Sequence, residues 1–133
     1  MTKFMLLTKY DSELGLPPMT EWDPADMAAH LDYLNRLNRE LAANGELIEV
    51  SALTGPELAK VVSSDGRSTP VVTDGPFPEA KEVLAGYQMV DVESEERALE
   101  IAAQVSAAPG PGGVPIRQRI EVRQVMISIT SDM

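Results

Sequence analysis

Apolar and polar residues alternate along the chain in a pattern that predicts strands separated by helices. The run Lys3–Tyr10 is short and mostly apolar, which is typical of a buried strand. A helix is expected from Pro24, which Asp23 caps, to about Ala43. The Asn44–Gly45 pair that follows favours a helix end. The apolar stripe of this helix has three- and four-residue spacing and consists of Met27, Leu31, Leu34, Leu37 and Leu41.

The middle of the chain predicts further strands. Residues 46–53 alternate between apolar and polar positions, as a half-buried strand does. One face of this strand is expected to carry Ile48, Val50 and Ala52, and the other Leu47, Glu49 and Ser51. The Asp65–Gly66 pair lies between two valine-containing runs and predicts a β-hairpin. Residues 84–92 predict one more strand, which follows a bend at Asp74.

The last third of the chain predicts a second helix and a closing strand. Ser94 is expected to cap the helix, whose first turn carries Glu95 and Glu96. The apolar stripe of this helix consists of Ala98, Ile101, Ala102 and Val105. A loop rich in glycine and proline leads to a long strand at Ile116–Ile129. The row of this strand that is expected to face away from the helices consists of Arg117, Arg119, Glu121, Arg123 and Val125.

The order of these elements is β-α-β, then a hairpin, then β-α-β. This order predicts a single α+β domain over residues 1–133 with a ferredoxin-like plan, in which an antiparallel sheet carries both helices on one face. The other face of the sheet meets either water or a second subunit. Two such sheets packed face to face form a dimeric α+β barrel, and the homodimer is the favoured prediction.

Composition narrows the class of protein without naming a function. The chain has 133 residues, of which 44% are apolar, and no cysteine, which excludes disulfides and thiolate sites. Its net charge is −10, so binding to nucleic acid is not expected. The first residues lack the features of a signal peptide, and no apolar run is long enough to cross a membrane. We therefore expect a cytoplasmic protein without a membrane partner.

His30 and Asp74 are the candidate catalytic residues. His30 is the one histidine of the chain and lies at the edge of the apolar stripe of the first helix. It is either a core-edge histidine whose ring nitrogens bond to backbone or water, or a proton acceptor in a pocket. Asp74 either closes its own turn through a backbone hydrogen bond or holds a carboxylate at the mouth of that pocket.

The bend after Asp74 is expected to be stiff. The segment that shapes and anchors it consists of Gly75, Pro76, Phe77 and Pro78. A charged cluster with one helical turn is expected next and consists of Glu79, Lys81 and Glu82. This cluster forms either a solvated turn or a gate at the pocket mouth.

The stretch Val71–Ser94 resembles the signature of the DGPF proteins, which are grouped with the YCII-related domain. The resemblance rests on the string DGPF-x-E-x-K-E-x-x-x-G, which is long and rather specific. The strand Ile120–Val125 resembles the closing strand of that family, and Asn44–Leu47 with Leu53 resembles the segment after its first helix. The similarity extends over Lys3–Met126, nearly the whole chain.

This resemblance implies a ferredoxin-like fold of the dimeric α+β barrel type, and a histidine and an aspartate that act in a reaction not yet established. His30 and Asp74 match those two positions. Asp74 would then hold one imidazole nitrogen while the other takes or gives a proton on a small substrate. Two features depart from the family pattern: Gln124 replaces a usual proline, and the preceding loop is longer. Both are expected to reshape the pocket rim.

Two functions follow from these observations. The first is an enzyme that uses His30 and Asp74 for general acid–base chemistry on a small molecule. The alternative is a non-catalytic ligand-binding or regulatory protein with a transcription-related partner, because some relatives are joined to sigma-factor domains. The weaker substrate-binding candidates are Glu121, Arg123 and Tyr87. No metal or cofactor is expected, since clustered metal ligands and the known phosphate-binding glycine loops are missing from the sequence.

Overall fold

Six strands, two α-helices and three single 3₁₀ turns are found in the part of the chain that the structure describes. The structure is a computed structural model, and it describes residues 1–11, 14–75 and 82–131. The strands are β1 (Thr2–Asp11), β2 (Leu47–Ala52), β3 (Lys60–Ser63), β4 (Val71–Asp74), β5 (Glu82–Val92) and β6 (Ile120–Gln124). The helices are α1 (Pro24–Ala43) and α2 (Glu95–Ser106).

Four of these strands form an antiparallel sheet in the order β2-β5-β1-β6. The central strand β1 pairs with β5 from Thr2↔Val92 to Asp11↔Glu82, and with β6 from Phe4↔Gln124 to Thr8↔Ile120. Strands β3 and β4 form a separate two-stranded hairpin between β2 and β5 in the chain. The two helices pack on one face of the sheet, so the predicted ferredoxin-like α+β fold is confirmed.

The hydrophobic core lies between this sheet and the two helices. Alternate strand residues face the helices, so Phe4 and Leu6 of β1 are buried. The other buried core residues are Leu37, Leu41, Val90, Val92, Ala98, Ile101, Ala102 and Val105. Gln88 is a buried polar neighbour, and its amide nitrogen donates to Asn38 Oδ1 at 2.6 Å, which satisfies its burial.

Helix α1 has the predicted ends but buries a different edge. Asp23 caps it by accepting a hydrogen bond from the Ala25 backbone nitrogen at 3.0 Å. Leu31 is 48% exposed, whereas His30 is 6% exposed and shares the buried edge with Leu37. The prediction that Leu31 belongs to the buried stripe is therefore wrong, because the helix turns its His30 edge toward the sheet. Within the described residues, no helix is long and apolar enough to span a membrane.

Strand β2 changes face through a bulge. Its register with β5 shifts between Leu47 and Glu49. Leu47 packs against the core, and Val50 lines a shallow pocket with it and with residues of α1. The prediction that Leu47 and Val50 point to opposite faces is wrong, because an extra residue in one strand breaks the alternation.

Strand β6 is shorter than the predicted strand Ile116–Ile129. Before β6, the backbone nitrogen of Ile116 donates to Ala108 O at 2.9 Å, because the chain folds back on the end of α2. After β6, Val125 N donates to Lys3 O at 2.8 Å, close to the start of β1. The ladder therefore covers only the residues that lie opposite β1.

The bend that carries the family-like signature is only partly described. Residues 76–81 lie outside the described residues, so the anchoring role of Phe77 and the turn or gate at Glu79 and Lys81 stay predictions. Glu82, which closes the predicted helical turn, is the first residue of strand β5.

An ion pair joins helix α2 to the residue before β2. The guanidinium of Arg97 donates from Nε and Nη2 to the two carboxylate oxygens of Glu46 at 2.9 and 2.8 Å. Its Nη1 donates to Glu100 at 3.1 Å. The Glu46 side chain is 13% exposed, against 67% for Glu100. The hydrogen bonds from Arg97 hold the pKa of Glu46 below its ordinary value of 4.5.

We expect Glu46→Gln to lower the free energy of unfolding at neutral pH by about 1–3 kcal/mol, because Arg97 keeps only an exposed partner. Since folding depresses the pKa of Glu46, the carboxylate stabilises the fold above pH 4.5 and this contribution is lost as the pH falls through the folded-state pKa. Urea unfolding from pH 7 down to about pH 3 measures this. Glu100→Gln is the control, and a larger loss for it than for Glu46→Gln contradicts the prediction.

Candidate functional site

A cavity of about 590 Å³ lies beside the ends of β1 and β2 and the start of β5. Its walls come from the loop 14–22, the turn 55–57, His30 of α1, and the residues Ile116 and Gln118 that precede β6. Most of the lining side chains are apolar, and a few polar groups lie among them. This combination is typical of a small-molecule site.

Trp22 holds the loop wall of the cavity against helix α1. Its indole nitrogen donates to Pro17 O at 3.0 Å. Its ring meets the His30 ring edge-on, with the ring centroids 5.5 Å apart and the planes at 87°. Pro17 and Pro18 restrict the backbone of the loop. One aromatic side chain therefore fixes both the loop and the orientation of the imidazole.

His30 lines the cavity and has one ring nitrogen engaged. Its Nδ1 lies 3.0 Å from the carbonyl oxygen of Pro109. A carbonyl oxygen only accepts hydrogen bonds, so Nδ1 carries the proton and the neutral ring presents an acceptor at Nε2. No described residue forms a hydrogen bond with Nε2. Asp91 Oδ1 is the buried side-chain polar atom that lacks a partner among the described residues, so the unbonded Nε2 is not fully buried. Nε2 is therefore reachable from the cavity.

The carbonyl of Pro109 belongs to a closed loop at residues 108–116. Gly110 N donates to Val114 O at 2.7 Å, and Pro109 pairs with Pro115 as an isolated β-bridge. Gly110 also packs tightly, because a Cβ there would lie 2.8 Å from a side-chain carbon of Ile116. The glycine- and proline-rich loop thus has a defined conformation, although its composition alone predicts only a loop.

Asp74 lies in a different place from His30. It ends strand β4 of the hairpin, opposite Lys60 of β3. Its carboxylate pairs with the Lys60 ammonium, and its side chain is 84% exposed. Asp74 is not among the described residues that line the cavity, and no hydrogen bond joins it to His30. In this structure Pro109, rather than Asp74, sets the His30 tautomer, and the predicted Asp74–His30 pair stays a prediction.

Comparison with known proteins places the chain in a family. The family model described as "YCII-related domain" matches residues 2–122. The chain belongs to the YCII-related domain family. A protein of Rhizobium meliloti (strain 1021), itself described as uncharacterized, is 33% identical over 97 residues, which cover 72% of this chain and 77% of that protein.

The YCII-related domain of this chain therefore includes both residues of the predicted pair. His30, Asp74 and the closed loop 108–116 all lie within the matched range, whereas Arg123 and Gln124 lie beyond it. The relative from Rhizobium carries no described activity, so the family supports the fold without naming a reaction.

The cavity of this YCII-related domain contains polar residues that no sequence pattern indicated. They are Tyr10, Thr20, Glu57 and Gln118. Glu57 lies in the turn after β2, and its carboxylate folds over Gly55, where any Cβ would clash with it. No local sequence pattern indicates that this turn reaches the cavity beside His30. Within the described residues, no three His, Asp or Glu side chains form a group that could hold a metal ion.

The weaker candidates lie on the open face of the sheet rather than in the cavity. Glu121 accepts a hydrogen bond from Lys9 Nζ at 2.9 Å, and this contact lowers the pKa of its carboxyl group. Arg123 Nη1 lies 3.9 Å from the other Glu121 oxygen. Tyr87 is partly buried and lies opposite Leu7 in the sheet. None of the three lines the cavity, so a direct role beside His30 stays a prediction.

Proposed function

We propose that the cavity binds a small, mostly apolar molecule, and that His30 accepts a hydrogen bond or a proton from it at Nε2. The observation that carries this proposal is the contact between Nδ1 and Pro109 O, because it leaves Nε2 as the acceptor of the neutral ring. The cavity volume of about 590 Å³ is in the range of small-molecule sites. Trp22 and Pro18 offer the ligand an apolar surface.

The charge of the lining favours a neutral or cationic ligand over an anionic one. Among the described lining residues, Glu57 is the one acidic residue, and none is a lysine or arginine. A ligand carboxylate would therefore lack a cationic partner and would be repelled by Glu57. A suitable ligand has a hydroxyl group that donates to Nε2 and an apolar body that contacts the apolar walls.

A ligand with a labile proton at this position supports general acid–base chemistry. His30 would then be the catalytic residue, and proton transfer of this kind accelerates reactions by about 10²–10⁴-fold. Assistance from Asp74 requires it to exchange its Lys60 partner for the imidazole, and this stays a prediction. The regulatory alternative with a transcription-related partner also stays a prediction.

We expect 4-methylphenol to bind the wild-type protein more tightly than toluene or 4-methylbenzoate, as measured by NMR titration. His30→Asn is expected to weaken 4-methylphenol binding about tenfold, because it removes the Nε2 acceptor. The Asn amide nitrogen occupies the place of Nδ1 and can still donate to Pro109, so the fold is expected to persist. His30→Gln, whose amide reaches the position of Nε2, is expected to retain more of the binding.

Three results would contradict the proposed function. The first is equal affinity of wild type and His30→Asn for 4-methylphenol while both proteins are folded. The second is tighter binding of 4-methylbenzoate than of 4-methylphenol, which would show that the cavity selects anions. The third is chemical-shift changes confined to residues outside the cavity lining, which would place the probe elsewhere.

We also propose that the face of the sheet opposite the helices packs against a second copy of the chain. Four partly buried residues of β1 and β5 lie next to one another on this face and point away from the helices: Met5, Leu7, Tyr87 and Met89. Asp91 shares this face and has a buried carboxylate oxygen, Oδ1, without a hydrogen-bond partner among the described residues. An apolar centre with polar residues around it is the usual composition of a protein interface.

We expect light scattering at micromolar concentration to give twice the chain mass of 14.4 kDa. Met5→Lys is expected to give the monomer mass, because it places a charge at the centre of the apolar patch. Leu31→Lys, on the solvent side of α1, is the control and should leave the dimer intact. A wild-type mass of 14.4 kDa would overturn this proposal.

A further inference from the structure

Asp26 and His30 lie one helical turn apart on α1 and hold the same loop. Asp26 Oδ2 accepts a hydrogen bond from the backbone nitrogen of Gly112 at 3.1 Å. His30 Nδ1 donates to Pro109 O at 3.0 Å. Residues four apart on a helix project from the same face, so one edge of α1 contacts the loop at both Gly112 and Pro109. The two contacts together fix where the Pro109 carbonyl lies relative to the imidazole.

Backbone hydrogen bonds restrict the conformation of the loop 108–116, so a contact at one residue of the loop restricts the position of the others. Ile116 N donates to Ala108 O at 2.9 Å, and Gly113 N donates to Gly110 O at 2.9 Å. Gly112 has a φ of 68° and Gly113 a φ of 77°, values that favour glycine. The turn at Gly112 directs its N–H group toward Asp26, so a contact at the tip of the loop constrains the carbonyl at its base.

We propose that Asp26 is a positioning residue for His30: by holding Gly112 it keeps the Pro109 carbonyl on Nδ1, and thereby keeps Nε2 free of its proton at the cavity. The role of Nε2 as the functional acceptor rests on the proposed function. The positioning itself rests only on the contacts of Asp26, the loop and His30. Since the imidazolium also carries a proton on Nδ1, the contact with Pro109 persists when His30 is protonated.

The tautomer can be read directly because the chain has one histidine. In wild-type protein labelled with ¹⁵N, we expect the neutral ring to show a protonated Nδ1 and an unprotonated Nε2. Asp26→Ala removes the acceptor of the Gly112 amide. We expect hydrogen exchange at Gly112 to become about tenfold faster, and both tautomers of His30 to become populated.

Two matched variants separate positioning from general loss of structure. Asp26→Asn keeps an oxygen that can accept from Gly112, so it should restore the Nδ1–H tautomer. Asp32→Asn removes a charge from an exposed position on the same helix and should change neither readout. If Asp26→Ala does not fold, Asp26→Ser takes its place, since serine suits the first turn of a helix but is too short to reach Gly112.

A wild-type ring with its proton on Nε2 overturns the proposal. So does an unchanged Nδ1–H tautomer in folded Asp26→Ala or Asp26→Ser. These results are independent of 4-methylphenol binding. If the tautomer depends on Asp26 but the probe does not bind, the proposed function fails and the positioning role stands. If the probe binds through His30 but the His30 tautomer is the same with and without the Asp26 carboxylate, the positioning role alone fails.

Discussion

Leu6→Ala is expected to lower the free energy of unfolding by about 3–5 kcal/mol, the largest effect that we predict for this chain. Leu6 has no exposed surface and lies on the central strand β1, opposite Gln88 of β5 and Val122 of β6. Removing its side chain leaves a cavity between the sheet and the helices, and the paired strands around it cannot move inward to fill the space. Urea unfolding measures the loss as a lower midpoint with an unchanged slope.

Leu31→Ala is the matched control for this substitution. The sequence pattern assigns Leu31 to the buried stripe of α1, but the side chain is 48% exposed. Substitutions at exposed positions usually change stability by no more than about 0.5 kcal/mol. A loss at Leu31 as large as the loss at Leu6 would show that α1 packs on the leucine edge, and would contradict the burial of His30.

Gly86→Ala is expected to destabilise the protein by about 1–3 kcal/mol. Gly86 is buried in β5, and a Cβ at this position would lie 2.7 Å from the carbonyl oxygen of Ser51 and 3.3 Å from the Cα of Ala52. Both neighbours are backbone atoms of β2, so relief requires the two paired strands to separate locally. Thermal unfolding of wild type and variant at equal concentration gives the difference.

Gly75→Ala, in the same signature, should have a smaller effect. The nearest atom to a Cβ at Gly75 would be Cγ2 of Val61, the end of a side chain that is 41% exposed and can rotate away. We predict that Gly86→Ala lowers the stability more than Gly75→Ala does, because the first clash is with backbone atoms and the second is with a movable side chain. A larger loss for Gly75→Ala than for Gly86→Ala would contradict it.

Gly86 gives one end of the string from Asp74 to Gly86 a physical explanation. The string that begins at Asp74 ends at Gly86, and the structure gives Gly86 a packing role between β5 and β2. Asp74, at the other end of the string, pairs with Lys60 across the hairpin. Among the described residues of this string, Val83 is the one that lines the cavity, so the string alone does not identify the site.

The sequence predicted His30 as a site residue but not its surroundings. Its position beside apolar residues left a core role and a pocket role open, and the structure combines them: Nδ1 bonds to backbone while Nε2 is reachable from the cavity. Pro109 is 79 positions away along the chain, and no local pattern relates the two. Glu57 was missed for the same reason, since its place in the cavity wall depends on where the turn after β2 packs.

The sequence by itself determined where both helices start, where the first helix ends, the presence of the hairpin and the order of the elements along the chain. Asp23 and Ser94 cap the helices by accepting hydrogen bonds from residues two and three positions away, so these features need only a few neighbouring residues. The tertiary structure decided which edge of α1 is buried, where β6 ends, and which partners His30 and Asp74 have. Each of these depends on strand register and on packing between distant segments, and spacing along the chain does not encode them.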